Sequence, residues 1–250
     1  AVVIGLASST VTQYGKASFG ALMNGIRIPE RRLYQQIADQ IRGLVQNGQF
    51  RFGQRLPAER ELAQQLGVSR PSLREALIAL ELDGTVEIRM GSGVYVVPAA
   101  ERRAAWSGSM GESPAELMQA RATIEGAAIV LACARITPEA LATLRQTLDA
   151  MAIEIEEGRK PVDQDRQFHL TIATQSGNSV IGRIIGDLFD DRHSPLSAQL
   201  REHFETPETW SCALAEHEEI LTALEARDGL LAQAMMRMHL EESKRRWLDH

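Results

Sequence analysis

Apolar positions recur at helical spacing in three short segments near the start of the chain, and then the period changes. In LYQQIADQIRGLVQNG, Leu33, Ile37, Ile41 and Leu44 fall on one face, and Gly48 suits a left-handed C-terminal stop. In LPAERELAQQLG, Pro57 fits a first helical turn, Leu62, Ala63 and Leu66 form the apolar face, and Gly67 closes it. SRPSLREALIALELDG opens with Ser69 as N-cap and Pro71 in the first turn; Leu73, Ala76, Leu77 and Leu80 form its stripe, and Gly84 ends it. Only Gly67-Val68-Ser69 separates the second and third helices, the tight connection of a helix-turn-helix. In TVEIRMGSGVYVV the alternation becomes two-residue, with Val86, Ile88, Val94 and Val96 on one side of two strands around Gly91-Ser92-Gly93. Three helices and a hairpin predict a winged helix-turn-helix over residues 30–98.

Residues 99–112 are rich in Ala, Gly and Ser and have no period, which predicts a linker. Ser113-Pro114-Ala115-Glu116 then reads as a capping box that starts a long helix through about Arg135. Further helices are expected from Thr137-Pro138 to about Glu157, Val162 to Gln175, Ser179 to Phe189, Pro207 to Ala226 and Gly229 to Leu248, with no strand from Ser113 onward. The fold class is therefore mainly α, an N-terminal winged helix-turn-helix and an antiparallel all-α bundle over residues 113–248. Residues 1–29 lack a basic start ahead of their apolar stretch and read as a flexible leader, not a signal peptide.

Charge separates the two parts. Residues 27–98 hold ten arginines and eight acidic residues, whereas 99–250 hold sixteen basic and twenty-five acidic ones. A basic, arginine-only module joined to an acidic one suggests a head that faces nucleic acid and a body that does not. No apolar run is long enough to span a bilayer, and the chain reads as cytoplasmic. Cys133 and Cys212 offer no metal or disulfide spacing and are expected to be buried, reduced, small apolar residues.

A recognition helix enters the major groove by its N-terminal end, where arginine can grip guanine or phosphate. Arg70 and Arg74 lie there one turn apart, on a face expected opposite Leu73, Leu77 and Leu80, with the hydroxyls of Ser69 and Ser72 beside them. Arg60 opens the preceding helix, Arg89 flanks the wing, and Gly91 is small enough for its tip to approach a groove. The partner so predicted is a double-stranded DNA operator.

The bundle carries a second constellation. Asp165 and His169 stand four residues apart on one helix face. His217 and His239 lie ten or eleven residues either side of the Arg227-Asp228 turn, about 15 Å from it and level across an antiparallel pair. Three imidazoles and a carboxylate suit a divalent transition metal, Zn²⁺ or Ni²⁺ foremost. His193, His203 and His250 read as ordinary packed or surface histidines.

The run LPAERELAQQLGVSRPSLREALIALELDG, with RMGSGVYV after it, resembles the winged-helix signature of the GntR superfamily of bacterial transcription regulators. The resemblance implies DNA contacts from Arg60, Arg70, Arg74 and the wing at Gly91, and homodimers on short palindromes. The bundle resembles the FCD effector domain of the FadR-type branch, whose Asp-x₃-His and two later histidines match Asp165, His169, His217 and His239. That implies a metal with a small carboxylate or sugar-acid effector beside it. It also implies a cavity-facing arginine at Arg121, which spacing alone would equally pair with Glu125 on the surface; Arg192 in DDRHSP is a second effector candidate. RRLYQQ, DDRHSP and the Trp210–His217 spacing resemble regulators of hexuronate catabolism, the ExuR and UxuR types. The reading is a ligand-responsive repressor and not an enzyme. The alternatives are a metal-dependent enzyme with a DNA-binding appendage, or a purely structural metal in a dimerisation domain.

Overall fold

The computed structural model describes residues 32–98 and 110–248. The leader expected over 1–29 and most of the expected linker lie outside them. Helices α1 (Leu33–Gln46), α2 (Glu59–Leu66) and α3 (Arg70–Leu82) precede a hairpin of β1 (Val86–Arg89) and β2 (Gly93–Val96). The strands pair antiparallel with Val86 opposite Val96 and Ile88 opposite Val94, so the alternating residues share one face as expected. Gly91 and Gly93 both take positive φ around the hairpin tip.

Local signals behave as the physics of caps requires. The Ser69 hydroxyl accepts from the Ser72 amide, and Gly67 closes α2 in the left-handed conformation at φ 68°. Two details differ from the sequence reading. Pro57 lies outside α2, which begins at Glu59. In α1 the buried stripe is Tyr34, Ile37, Ala38, Ile41 and Val45, while Leu33 is 55% exposed. Leu33 is the first residue of α1.

The second part holds α4 (Pro114–Cys133), α5 (Pro138–Glu156), α6 (Val162–Gln175), α7 (Ser179–Asp190), a 3₁₀ turn (Asp191–His193), α8 (Pro195–Phe204), α9 (Pro207–Glu225) and α10 (Gly229–Leu248). No strand occurs after Ser113 among the described residues. Helix α4 is central, packed on α10, α6 and α7, while α5 bridges α6 and α9, and α9 lies on α10. Helix α8 is absent from the sequence reading, although Ser194 caps it by accepting from the Ser197 amide and Pro195 opens its first turn. At the α9–α10 turn, Arg227 adopts φ 55° and donates to the Ile136 carbonyl at 2.8 Å; Asp228 Oδ1 caps α10 through the amides of Leu230 and Leu231. Cys133 is buried, but Cys212 is exposed, against expectation, because it lies off the buried face of α9 that Trp210, Ala213 and His217 form.

Winged helix and bundle pack within one unit running from Leu33 onward. Helix α3 contacts α8, α10 and the start of α4. Ser113 caps α4 through the Glu116 amide and itself donates to the Glu75 carboxylate at 2.9 Å; the Ala115 amide donates to Glu75 at 2.8 Å. A carboxylate from the recognition helix thus completes the N-terminus of the central bundle helix. Burial pushes the Glu75 carboxyl up to about 7, against the pull of the Ala115 and Ser113 donors.

Candidate metal centre and DNA-reading face

The antiparallel α9–α10 pair and helix α6 deliver four side chains to one point. Asp165, His169, His217 and His239 are all buried, and one ligand atom from each lies within 4.8 Å of the others. His217 Nε2 is 3.2 Å from His169 Nε2 and 3.1 Å from His239 Nε2. Asp165 Oδ1 stands 3.7 Å from His169 Nε2 and 3.6 Å from His217 Nε2. The rings are held from outside by Phe168, 4.5 Å centroid to centroid from His217, and by Phe189, 5.2 Å from His169.

Two carboxylates behind the imidazoles fix their orientation. Glu125 Oε2 lies 2.5 Å from His169 Nδ1, and Glu216 Oε2 lies 2.7 Å from His239 Nδ1. With Nδ1–H donating to a carboxylate, each Nε2 turns a lone pair toward the common centre. Burial, with His239 and His169 nearby, holds His217 well below the usual imidazole range, so it stays neutral. Burial would raise the Asp165 carboxyl, but Arg192, His169 and His217 beside it hold it far below its usual value. Three imidazoles and one carboxylate fit a divalent transition ion.

Next to this cluster is a cavity of about 30 Å³, room for a water or two, lined by Arg121, Asp165, Arg192, Glu205, Trp210 and Trp247 among others. Arg192 Nη1 donates to Asp165 Oδ2 at 2.6 Å and its Nη2 lies 3.5 Å from Glu205. Arg121 donates from Nε to Glu125 at 2.7 Å and stacks over Phe189 at 3.8 Å. The pair the spacing allowed on the surface is therefore buried, and Glu125 joins Arg121 to His169. Arg121 Nη2, Arg192 Nε, Glu205 Oε2 and Trp210 Nε1 are buried without a hydrogen-bond partner. Buried polar atoms in such number around one void call for a polar ligand or water.

Sequence reasoning did not single out Glu125 as an orienting group, nor Glu205, Glu216 or Trp247. Glu125 carried a signal, since it stands four residues after Arg121. Glu216 and Trp247 carried none that one sequence displays.

Similarity to known proteins agrees with this geometry. The profile of bacterial regulatory proteins of the gntR family matches residues 33–96, and that of the FCD domain matches 116–242. The chain belongs to the gntR family of bacterial regulatory proteins. It is 35% identical over 226 residues to the "Exu regulon transcriptional regulator" of Escherichia coli K12, covering 86% of this chain and 84% of that one. It is 34% identical to the "Uxu operon transcriptional regulator" of the same strain, covering 88% of each. A "Putative L-lactate dehydrogenase operon regulatory protein" of E. coli K12 is 31% identical over 84% of each chain. Among solved structures, E. coli McbR/YncC aligns with a TM-score of 0.49 at 22% identity over 85% of this chain and 95% of that one. The chain is thus a DNA-binding transcription regulator of the GntR type with an FCD domain.

In this GntR-type regulator Arg60, Ser69, Arg70, Arg89 and Gly91 are exposed, and Ser72 is half-buried. The Ser69 and Ser72 hydroxyls are 2.8 Å apart. Arg89 pairs with Glu87 at 2.7 Å and lies over Tyr95. Arg74 departs from the expected face: it is 3% exposed, turned into the junction with the bundle. Glu59 Oε2 takes both Arg74 Nε at 3.0 Å and Nη2 at 2.6 Å, where α3 packs on α8 and α10. No described helix is long and apolar enough to cross a membrane.

Proposed function

We propose that this regulator is a ligand-responsive repressor whose FCD domain holds Zn²⁺ or Ni²⁺ on Asp165, His169, His217 and His239 and binds a small carboxylate or sugar acid beside it. The observation that carries the reading is the convergence of three Nε2 atoms and Asp165, with two of the rings oriented by carboxylates. The ion would supply a cationic centre next to two arginines. Arg121 and Arg192 would clamp the effector's carboxylate, as guanidinium groups do. The cavity is small, and Asp165 engages Arg192 at its wall. An incoming carboxylate competes for that guanidinium, so binding enlarges the site by moving Arg192. Relatives named for the Exu regulon, the Uxu operon and an L-lactate dehydrogenase operon support an effector from sugar-acid or hydroxy-acid metabolism.

Operator reading falls to Arg60, Arg70 and Arg89 with Ser69, Ser72 and the Gly91 tip, and homodimers would present two such heads to a palindrome. The test combines elemental analysis of the purified protein with calorimetry of the Zn²⁺- and Ni²⁺-loaded forms against hexuronates, short hydroxy acids and plain dicarboxylates. One of the acids should bind and lower operator affinity. Binding of none, or binding with operator affinity unchanged, refutes the reading.

A further inference from the structure

Helix α3 should offer its surface to a major groove, yet every residue from Leu73 to Leu80 is buried. Its polar members are tied to the bundle. Arg74 is paired with Glu59, its Nη1 donates to the main-chain oxygen of Trp247 at 3.4 Å, and its guanidinium lies 4.8 Å from the centre of the Phe204 ring. Glu75 caps α4 through Ser113 and Ala115. Two turns further on, Glu81 Oε2 takes Gln199 Nε2 at 3.2 Å and lies 2.6 Å from His203 Nε2, while its Oε1 accepts from the Ile88 amide in β1 at 2.9 Å. Recognition helix and wing are thus held together against α4, α8 and α10.

We propose that this junction is a latch: Phe204 and the Trp247 carbonyl hold Arg74 off DNA, and the Trp247 indole connects the latch to the cavity. A guanidinium enclosed by Glu59, an aromatic face and a helix-end carbonyl cannot reach a phosphate. Pairing with Glu59 compensates the buried charge, and the last carbonyls of α10 are unsatisfied within the helix and partly negative. DNA must therefore compete with the bundle for Arg74. The connection to the cavity is direct, because the Trp247 indole forms part of its wall and the Arg192 guanidinium sits 5.1 Å from that ring. Movement of Arg192 shifts the same residue whose carbonyl receives Arg74. This second part rests on the cavity being the effector site; the first part does not.

The test is a double-mutant cycle on a duplex selected from a random-sequence pool by the wild-type 250-residue chain. Phe204 and His203 are only partly buried and lie on α8, outside the winged helix. Phe204→Ala, and independently His203→Ala, should tighten binding by about three- to ten-fold by freeing the recognition helix. In an Arg74→Ala background the Phe204→Ala gain should vanish. The latch is refuted if both variants keep the wild-type melting temperature and bind the duplex no more tightly. It is also refuted if the Phe204→Ala gain survives the loss of Arg74. A sugar acid that calorimetry finds bound to wild type should change wild-type operator affinity and leave that of Phe204→Ala unchanged; an equal response in both refutes the role of Trp247. If no acid binds wild type, the effector reading fails, and the latch is decided by the Arg74 cycle alone.

Discussion

His217 and His239 face each other across the α9–α10 pair with their Nε2 atoms 3.1 Å apart. Two buried lone pairs at that distance repel unless a proton or a cation lies between them. A metal ion removes the conflict, so the loaded protein should be markedly more stable. Ion at about one hundred times its dissociation constant adds about 2.7 kcal/mol. For a domain of this size that raises the melting temperature by roughly 5–10 °C. His217→Ala should abolish the metal-dependent rise while the chain still melts cooperatively, which differential scanning calorimetry with and without Zn²⁺ checks.

Glu125 serves two partners at once, Arg121 Nε at 2.7 Å and His169 Nδ1 at 2.5 Å. Arg121 and His169 hold its carboxyl at about 2 although burial opposes ionisation. Glu125→Gln keeps the shape but loses the charge that orients the His169 ring. Metal affinity should fall about 10- to 100-fold, by competition with a chromophoric chelator. Glu125→Ala strands the buried Arg121 charge and should cost about 3–5 kcal/mol in denaturant unfolding.

The four residues of the candidate metal centre were legible in the sequence because helical geometry allows them to meet and the resemblance to the FCD domain selects them. A step of four residues places Asp165 above His169, and equal distances from the Arg227 turn place His217 level with His239. The winged helix was legible for the same reason, as each boundary carries its own cap or glycine. What the sequence concealed depends on contacts between distant segments. Arg74 and Arg70 are one turn apart and chemically alike, but only the packing of α3 on α8 and α10 makes one buried and the other exposed. Glu216 and Trp247 gain their roles from the same long-range packing, through His239 and Arg74. Helix α8 was within reach, since Ser194-Pro195 is an ordinary start signal.

Arg70 begins α3 on its exposed side, where the proposed operator contact can be tested. Arg70→Ala should weaken binding to the selected duplex by about 1–3 kcal/mol, with the loss concentrated at one base position of each half-site. Melting temperature and metal content should match wild type. Fluorescence anisotropy on single-base variants of the duplex measures both the size and the position of the effect. A uniform loss across all variants would make Arg70 a phosphate contact instead.

Glu75 makes the junction between α3 and α4 sensitive to pH. Its carboxyl titrates at about 7 in the folded protein, against an ordinary value of 4.5, because burial disfavours the charged form. A raised acid binds more protons when folded than when unfolded, so its stabilising contribution is complete below the ordinary value and is lost as pH rises through about 7. The shift corresponds to about 3 kcal/mol at most. Wild-type stability should therefore decline between pH 5 and pH 8 by an amount of that order from this group. Glu75→Gln, which stays neutral and keeps an acceptor for the Ser113 hydroxyl and the Ala115 amide, should flatten this part of the profile. Urea unfolding at pH 5, 6, 7 and 8 on both proteins isolates the difference. If the two profiles run parallel, Glu75 is ionised throughout and the junction is held by charge-assisted hydrogen bonds alone.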